Sequence, residues 1–490
     1  MITRDLTGRL ADALRRVVGD DALVTDPSEL RTYECDGLSH LRVVPGLVVL
    51  ARSSHDIQAV VATCAAAGVP FVARGSGTGL SGGALPRADG VLIVTSRMRD
   101  ILDVDIANQR AVLEPGVTNL AVSRAGAPHG YYYAPDPSSQ QVCSIGGNVA
   151  ENSGGAHCLK YGFTTNHVTG LEIVTPAGEV VEIGAGAAAD APGYDLVGAF
   201  VGSEGTLGIA TKVTVRLLRA PESIQTLLAA FADTDAAGGA VSSIIAAGVV
   251  PAAIEMMDAL AISAAEAAVR CEYPAGAGAV LIVELDGPAS DVAPALEEVE
   301  EHCRTHGAFE IRMAADDEER ARIWKGRKSA FAAVGRISPD YIVQDGVVPR
   351  TTLPDVLREI ARLSEQSGID VANVFHAGDG NLHPLVLFDG AVEGEEERAE
   401  EVSARILELC LAHGGSITGE HGVGVDKAKS MPKMFSEDDL DTMQLLRCAF
   451  DPAGICNPGK VFPTPRLCGE VPGRRQGVHP LHEAGVAELF

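Results

Sequence analysis

Between Pro45 and about Arg219, short apolar runs alternate with glycine-rich breaks: GLVVL, PFVAR, VLIVT, AVLEPG, LEIVTPAGEVVEI and ATKVTVRLL. Runs rich in Val, Ile and Leu, bounded by turn residues, predict strands. SSHDIQAVVATCAAAG carries helical spacing instead, as does MITRDLTGRLADALRRVVG at the start, which predicts an N-terminal helical extension over residues 1–44. The pattern over 45–221 reads as an α+β nucleotide-type domain. Over 222–463, helical stretches such as ALEEVEEHCRTHG alternate with the strands AVLIVELDG and NVFHAG, predicting an α+β domain with helices on an antiparallel sheet. A short C-terminal helical region ends this domain at the turn-rich DPAGICNPGKVFP, and residues 464–490, rich in Pro, Gly and His, read as a surface tail.

Composition narrows the partners. A formal net charge of -27 argues against nucleic acid, since phosphate binding needs a basic footprint. An anionic substrate would need a local cluster of cations, because the field of the whole chain repels it. Ten cysteines without a C-x-x-C pair give neither a disulfide scaffold nor an iron–sulfur or zinc-ribbon site, and predict a reduced, cytoplasmic setting. The N-terminus lacks the apolar region of a signal peptide. The most membrane-like stretch, AGGAVSSIIAAGVVPAAIEMMD, is interrupted by Pro251 and ends in Glu255 and Asp258, so it predicts a buried helix running into a strand. Contact with a membrane, at its inner face, would then come through partner subunits.

Three glycine clusters change the picture further. RGSGTGLSGGA, Arg74 to Ala84, lies between two apolar strands, which fits neither a dinucleotide fingerprint nor a P-loop, both of which lead into a helix. Consecutive amides free of Cβ can instead form a concave nest for a pyrophosphate, with Arg74 as counter-charge. PDPSSQQVCSIGGNVAENSGGAH, Pro135 to His157, and VGSEGTLGI, Val201 to Ile209, add Ser, Asn and Thr donors. A long cofactor lying along backbone amides accounts for all three.

A second constellation follows in NVFHAGDGNLHPLVLF. Asp379-Gly380 is a two-residue hairpin signal, and a turn centred there places His376 and His383 opposite each other on one face, suited to sharing a metal ion. GGSITGEHGVG supplies Glu420 and His421 in a glycine-flanked turn. Two His and a carboxylate suit zinc, manganese, cobalt or iron. In RIWKGRKSAF, helical spacing puts Trp324 and Lys328 on one face with Arg327 beside them, the local cations an anionic substrate requires.

The order RGSGTGLSGG, PDPSS…SIGGNVAENSGG and GSEGTLG resembles the FAD-binding domain of the vanillyl-alcohol oxidase type. Within it, HCLKYG, EMMD and GRISPDY make the chain resemble the flavoprotein subunits of bacterial glycolate oxidase, in the FAD-linked oxidase and D-lactate dehydrogenase family. The resemblance implies a two-part FAD-binding domain followed by a substrate domain. The cofactor would lie on Arg74, Gly75, Ser76, Gly77, Thr78, Gly79, Ser81 and Gly82, on Pro135, Asp136, Ser144, Gly146, Gly147, Asn148, Asn152 and Gly155, and on Gly202, Glu204, Gly205 and Ile209. Some relatives bind FAD covalently through a His in or near these loops; the first loop here has none, so non-covalent FAD is expected.

The resemblance also implies a divalent metal, zinc or manganese, on His376, His383 and Glu420, with His421 as general base and Arg327 binding the substrate carboxylate. Relatives acting on D-2-hydroxyglutarate carry polar residues where Phe331 and Val343 align, so the expected substrate is a small 2-hydroxy monocarboxylate, glycolate or D-lactate. Electrons would pass to a second FAD-type subunit and an iron–sulfur subunit of a glycolate oxidase complex. A metal-dependent hydrolase would leave the glycine clusters unused, and a non-catalytic assembly subunit would not need the His, Glu and Arg set.

Overall fold

A computed structural model describes residues 4–184 and 193–463. The tail expected over 464–490 lies outside the described residues.

The front half is built from two sheets. In the first, Leu47–Leu50, Val91–Val94 and Phe71–Arg74 run parallel, with the antiparallel pair Leu23–Val24 on the Leu47–Leu50 edge. Parallel pairing needs a crossover, and the helix Ser54–Ala67 supplies it: Ser53 caps its start by accepting from the N–H of Asp56, and Gly68 ends it at φ 61°. The helix Arg4–Val18 also packs here, for Leu10, Leu14 and Val18 share a core with Val49, Ile57 and Phe71. The segment before Pro45 is therefore built into this sheet rather than appended to it. The second sheet is antiparallel: Ile101–Asp105, Arg110–Leu113, Ile209–Arg216, Val168–Val174 and Val180–Gly184.

The rear half is a large antiparallel sheet of nine strands. Strand alternation sends Leu227, Ala229, Leu281 and Val283 into one core and Leu228, Ala230, Val280 and Ile282 into another. The first core is covered by helices Thr234–Ala246, Ala289–Thr305, Leu353–Ser367 and Glu395–Ala412, the second by Ala259–Val269 and Asp317–Val334. Thr234–Ala246 running to the strand Ala253–Asp258 is the buried helix-to-strand unit expected there, and no helix of the described residues is long and apolar enough to cross a membrane.

The chain then returns to the front. Ile455 and Cys456 follow the helix Glu437–Phe450 and lie along the open edge of the first sheet: the N–H of Phe71 donates to the carbonyl of Ile455 at 2.9 Å, and the N–H of Asn457 to the carbonyl of Phe71 at 2.8 Å. The side chain of Asn457 donates to the carbonyls of Gly83 and Glu204, at 3.0 and 2.6 Å, tying the first glycine cluster to the third. Read alone, this segment looked like a turn; its partners lie hundreds of residues away.

Candidate active site

The first two glycine clusters meet at Ser144. Its hydroxyl caps the helix Ile145–Glu151 by accepting from the N–H of Gly147 at 3.4 Å, and accepts from the N–H of Ser76 at 3.3 Å. A Cβ on Gly75 would collide with that hydroxyl. Gly77 holds φ +69°, over the guanidinium of Arg74, whose Nη1 donates to the carbonyl of Cys35 at 2.5 Å.

Around this junction opens a cavity of about 590 Å³. Of the residues expected to hold a cofactor, Arg74, Gly75, Ser76, Gly77, Thr78, Gly79, Ser144, Gly146, Gly147, Asn148, Glu204, Gly205 and Ile209 line it. Ser81, Gly82, Pro135, Asp136, Asn152, Gly155 and Gly202 do not: they brace the walls. The carbonyl of Ser81 accepts from Val425 and Asp426, Asp136 holds His157 at 2.8 Å, and the side chain of Asn152 accepts from Thr165 at 2.9 Å. The run Gly75 to Gly79, backed by Arg74, gives an elongated cofactor a wall with little side-chain obstruction, so the cavity fits FAD.

The far wall of the same cavity belongs to the rear half and includes Lys328, Phe331, Tyr341, Val343, Phe388, His383, Glu420 and His421. The hairpin that carries the two His is registered differently from the expectation. His376 pairs with Asn381 and Asn373 with Pro384, so the turn spans 377–380 and centres between Gly378 and Asp379, not at Asp379-Gly380. Moving the centre by one residue shifts the pairing by two, which preserves the face. His376 and His383 therefore sit diagonally instead of directly opposed, with ring centroids 5.1 Å apart.

Glu255, which the sequence offered only as part of EMMD and with no site role, organises this centre. It pairs across the sheet with His376 and is fully buried. One carboxylate oxygen meets His376 Nδ1 at 2.6 Å and the other accepts from Arg327 Nε at 2.6 Å. Holding Nδ1 as the donor turns the lone pair of His376 to Nε2, which is buried without a partner and lies 3.5 Å from Glu420 Oε1. His383 Nε2 lies 3.1 Å from the same oxygen. These three atoms fall within 4.8 Å of one another, and an orphaned imidazole nitrogen beside a carboxylate suits a divalent ion. Burial would raise the Glu420 carboxyl, but the neighbouring imidazoles of His376 and His383 hold it well below the usual range.

His421 stacks on His383 at 5.0 Å between centroids. Burial lowers its pKa to about 4, against the pull of Asp345, so the ring is neutral near pH 7. Asp345 shapes the turn beneath it, accepting from the N–H groups of Gly419, Glu420 and His421 at 2.8–3.1 Å and lying 3.3 Å from buried Lys427. Arg327 is 2% exposed and stands behind the cavity wall, its guanidinium carbon 5.7 Å from the Phe331 ring and its Nη2 buried without a partner. Lys328 lies over the Trp324 ring at 5.8 Å, on the shared helical face that the spacing predicted.

The two halves are also clamped beside the cavity. His157 bridges Asp136 of the second cluster and Glu284 of the rear sheet, at 2.8 and 3.2 Å, and stacks on Trp324. Glu284 also accepts from Arg320 Nε at 2.8 Å and Trp324 Nε1 at 2.7 Å, anchoring the helix that carries Arg327.

Residues 45–184 match the FAD binding domain family, and residues 220–461 match the C-terminal domain of FAD-linked oxidases. The chain belongs to the FAD-linked oxidases and is a flavin-dependent oxidoreductase. It is 52% identical to glycolate oxidase subunit GlcD of Escherichia coli strain K12 over 466 residues, covering 95% of this chain and 93% of that protein. A D-lactate dehydrogenase of Archaeoglobus fulgidus is 31% identical over 417 residues, covering 85% and 91% respectively. Among solved structures, p-cresol methylhydroxylase with substrate bound shares the fold at a TM-score of 0.79 and 17% identity, covering 94% of this chain and 97% of that one. The vanillyl-alcohol oxidase type of fold and the α+β class expected from the motifs are those observed.

Proposed function

We propose that this chain oxidises a small 2-hydroxy monocarboxylate, glycolate or D-lactate, to the 2-oxo acid. The observation that carries the reading is the shared cavity: His421, His383 and Glu420 face the same space as the glycine cradle. Bound FAD, held non-covalently, supplies the acceptor for the hydride from C2. A zinc or manganese ion on His376, His383 and Glu420 supplies Lewis acidity toward the 2-hydroxyl.

The chain's own groups do the rest. His421, kept neutral by burial, takes the hydroxyl proton at Nε2, since its Nδ1 is enclosed. Arg327, fixed at Nε by Glu255 and with Nη2 unpartnered behind the Phe331 ring, is the cation assigned to the substrate carboxylate, which would have to reach past that ring to meet it. Phe331 and Val343 are apolar at the wall positions where relatives acting on D-2-hydroxyglutarate carry polar residues, which disfavours a second carboxylate there. Supported by the likeness to a glycolate oxidase subunit, the electrons leave to a second FAD-type subunit and an iron–sulfur subunit.

Anaerobic titration of the pure flavoprotein tests this. Glycolate or D-lactate bleaches the flavin and D-2-hydroxyglutarate does not; equal bleaching by the dicarboxylate, or none by any of the three, overturns the reading.

A further inference from the structure

The helix Ile145–Glu151 points its last residue at the seam where the first glycine cluster, the third cluster and the loop after His421 converge. Glu151 lines the cavity, and its Oε2 is buried with no hydrogen-bond partner. A Cβ on Gly83 would come within 2.6 Å of its Oε1, and one on Gly422, the residue after His421, would collide with Oε2. Glu151 therefore lies against the backbone of the residue that follows the proposed base.

Its charged neighbours come from four parts of the chain: Asp36 between the strands Leu23–Val24 and Leu47–Leu50, Glu204 in the third cluster, Lys427 after the His421 turn, and Lys460 near the C-terminal return. Burial and the two carboxylates push the Glu151 carboxyl well above its usual range, against the pull of the two lysines. Glu204 is raised by burial as well, but it accepts from two backbone N–H groups, at 2.7 and 2.6 Å. Of the two acids, the one without donors keeps the proton.

Glu151 is partly exposed to the cavity with its Oε2 enclosed and unpartnered, so a hydrogen kept on this carboxyl is available to a ligand bound there. The family model that covers Glu151 names FAD as its ligand, and the flavin ring must lie beside the hydroxy-acid site for hydride to pass. We propose that Glu151 contacts the bound flavin, donating its carboxyl hydrogen to the ring edge that gains negative charge on reduction and so raising the flavin's electron affinity. The inference rests on the reading of this cavity as the FAD site, and names a residue that helps set the redox poise of that site.

Two measurements on the holoprotein test it. In reduced-minus-oxidised infrared difference spectra, wild type shows a protonated-carboxyl stretch that Glu151→Gln lacks; identical spectra overturn the proposal. In spectroelectrochemical titration, Glu151→Leu lowers the ratio of reduced to oxidised flavin at a fixed potential by about tenfold, or about 30 mV for the two-electron couple, while Glu151→Gln, which retains a donor, stays near wild type. A wild-type midpoint in the Leu variant, or a Gln variant shifted as far as Leu, also overturns it. The infrared comparison decides the matter if the Leu variant does not fold. Protein that carries no FAD would sink the cofactor reading itself, an outcome distinct from a loaded flavin indifferent to residue 151.

Discussion

Glu204 accepts a hydrogen bond from the backbone N–H of Gly424 at 2.6 Å, joining residues 220 positions apart. Its second oxygen accepts from Val423 at 2.7 Å, and Glu204 holds a left-handed φ of 51° to do so. Ser81 completes the joint through its carbonyl, and a Cβ on Gly424 would collide with that oxygen. The loop that follows His421 is thus fastened to the cofactor half by two of its glycine clusters. Glu204→Ala strands two buried N–H groups and should destabilise the protein by about 1–3 kcal/mol for each. Denaturant unfolding checks this; an unchanged midpoint would show that the seam contributes nothing.

His421→Ala should leave the oxidised flavin spectrum intact and slow substrate-dependent flavin reduction by roughly 10²–10⁴-fold. Anaerobic stopped-flow absorbance measures it. An unaltered rate removes His421 from the base role.

Chelation should silence turnover while leaving flavin bound, and zinc or manganese should restore it. His383→Ala should copy purified protein with about one metal equivalent fewer by elemental analysis. Equal metal content in the variant and wild type would discard the site.

Arg327 and Glu255 form a pair with almost no solvent access, 2.6 Å apart. Arg327→Ala leaves Glu255 buried without its cation and should cost about 3–5 kcal/mol of stability as well as substrate binding. Arg327→Lys keeps a charge but loses the planar fork, so KM for the hydroxy acid should rise while the fold survives. A Lys variant with wild-type KM would place the carboxylate elsewhere.

The His157 clamp makes stability depend on pH. Burial alone would lower the His157 pKa, but Asp136 and Glu284 lift it to about 10 from 6.5. A raised folded pKa means that its contribution is complete below about pH 6.5 and disappears as pH climbs through about 10. Wild type should therefore lose more Tm between pH 7 and 10 than His157→Gln does. Parallel curves would refute the clamp.

The sequence exposed some of this site and concealed the rest, for reasons that differ by residue. Glycine clusters, and His and Glu at short spacing, are local patterns, so His376, His383, Glu420 and His421 could be named from a few positions. The hairpin centre was misplaced by one residue, yet the strand period of two kept both imidazoles on one side. Glu255 and Asp345 have no local pattern, for their partners come from strands and turns more than 70 positions away. A carboxylate inside the apolar strand AIEMMD was the available hint, since a charge buried there demands partners. The Ser81 carbonyl and the Asp136 carboxylate, both in cofactor-like motifs, also hold seam and wall together, a role that only three-dimensional placement reveals.

Residues 455–457 close the edge strand that begins at Phe71. The parallel sheet that leads into the first glycine cluster is therefore not finished by the front half: a fragment cut before residue 455 would leave the N–H and the carbonyl of Phe71 unpaired on an open edge.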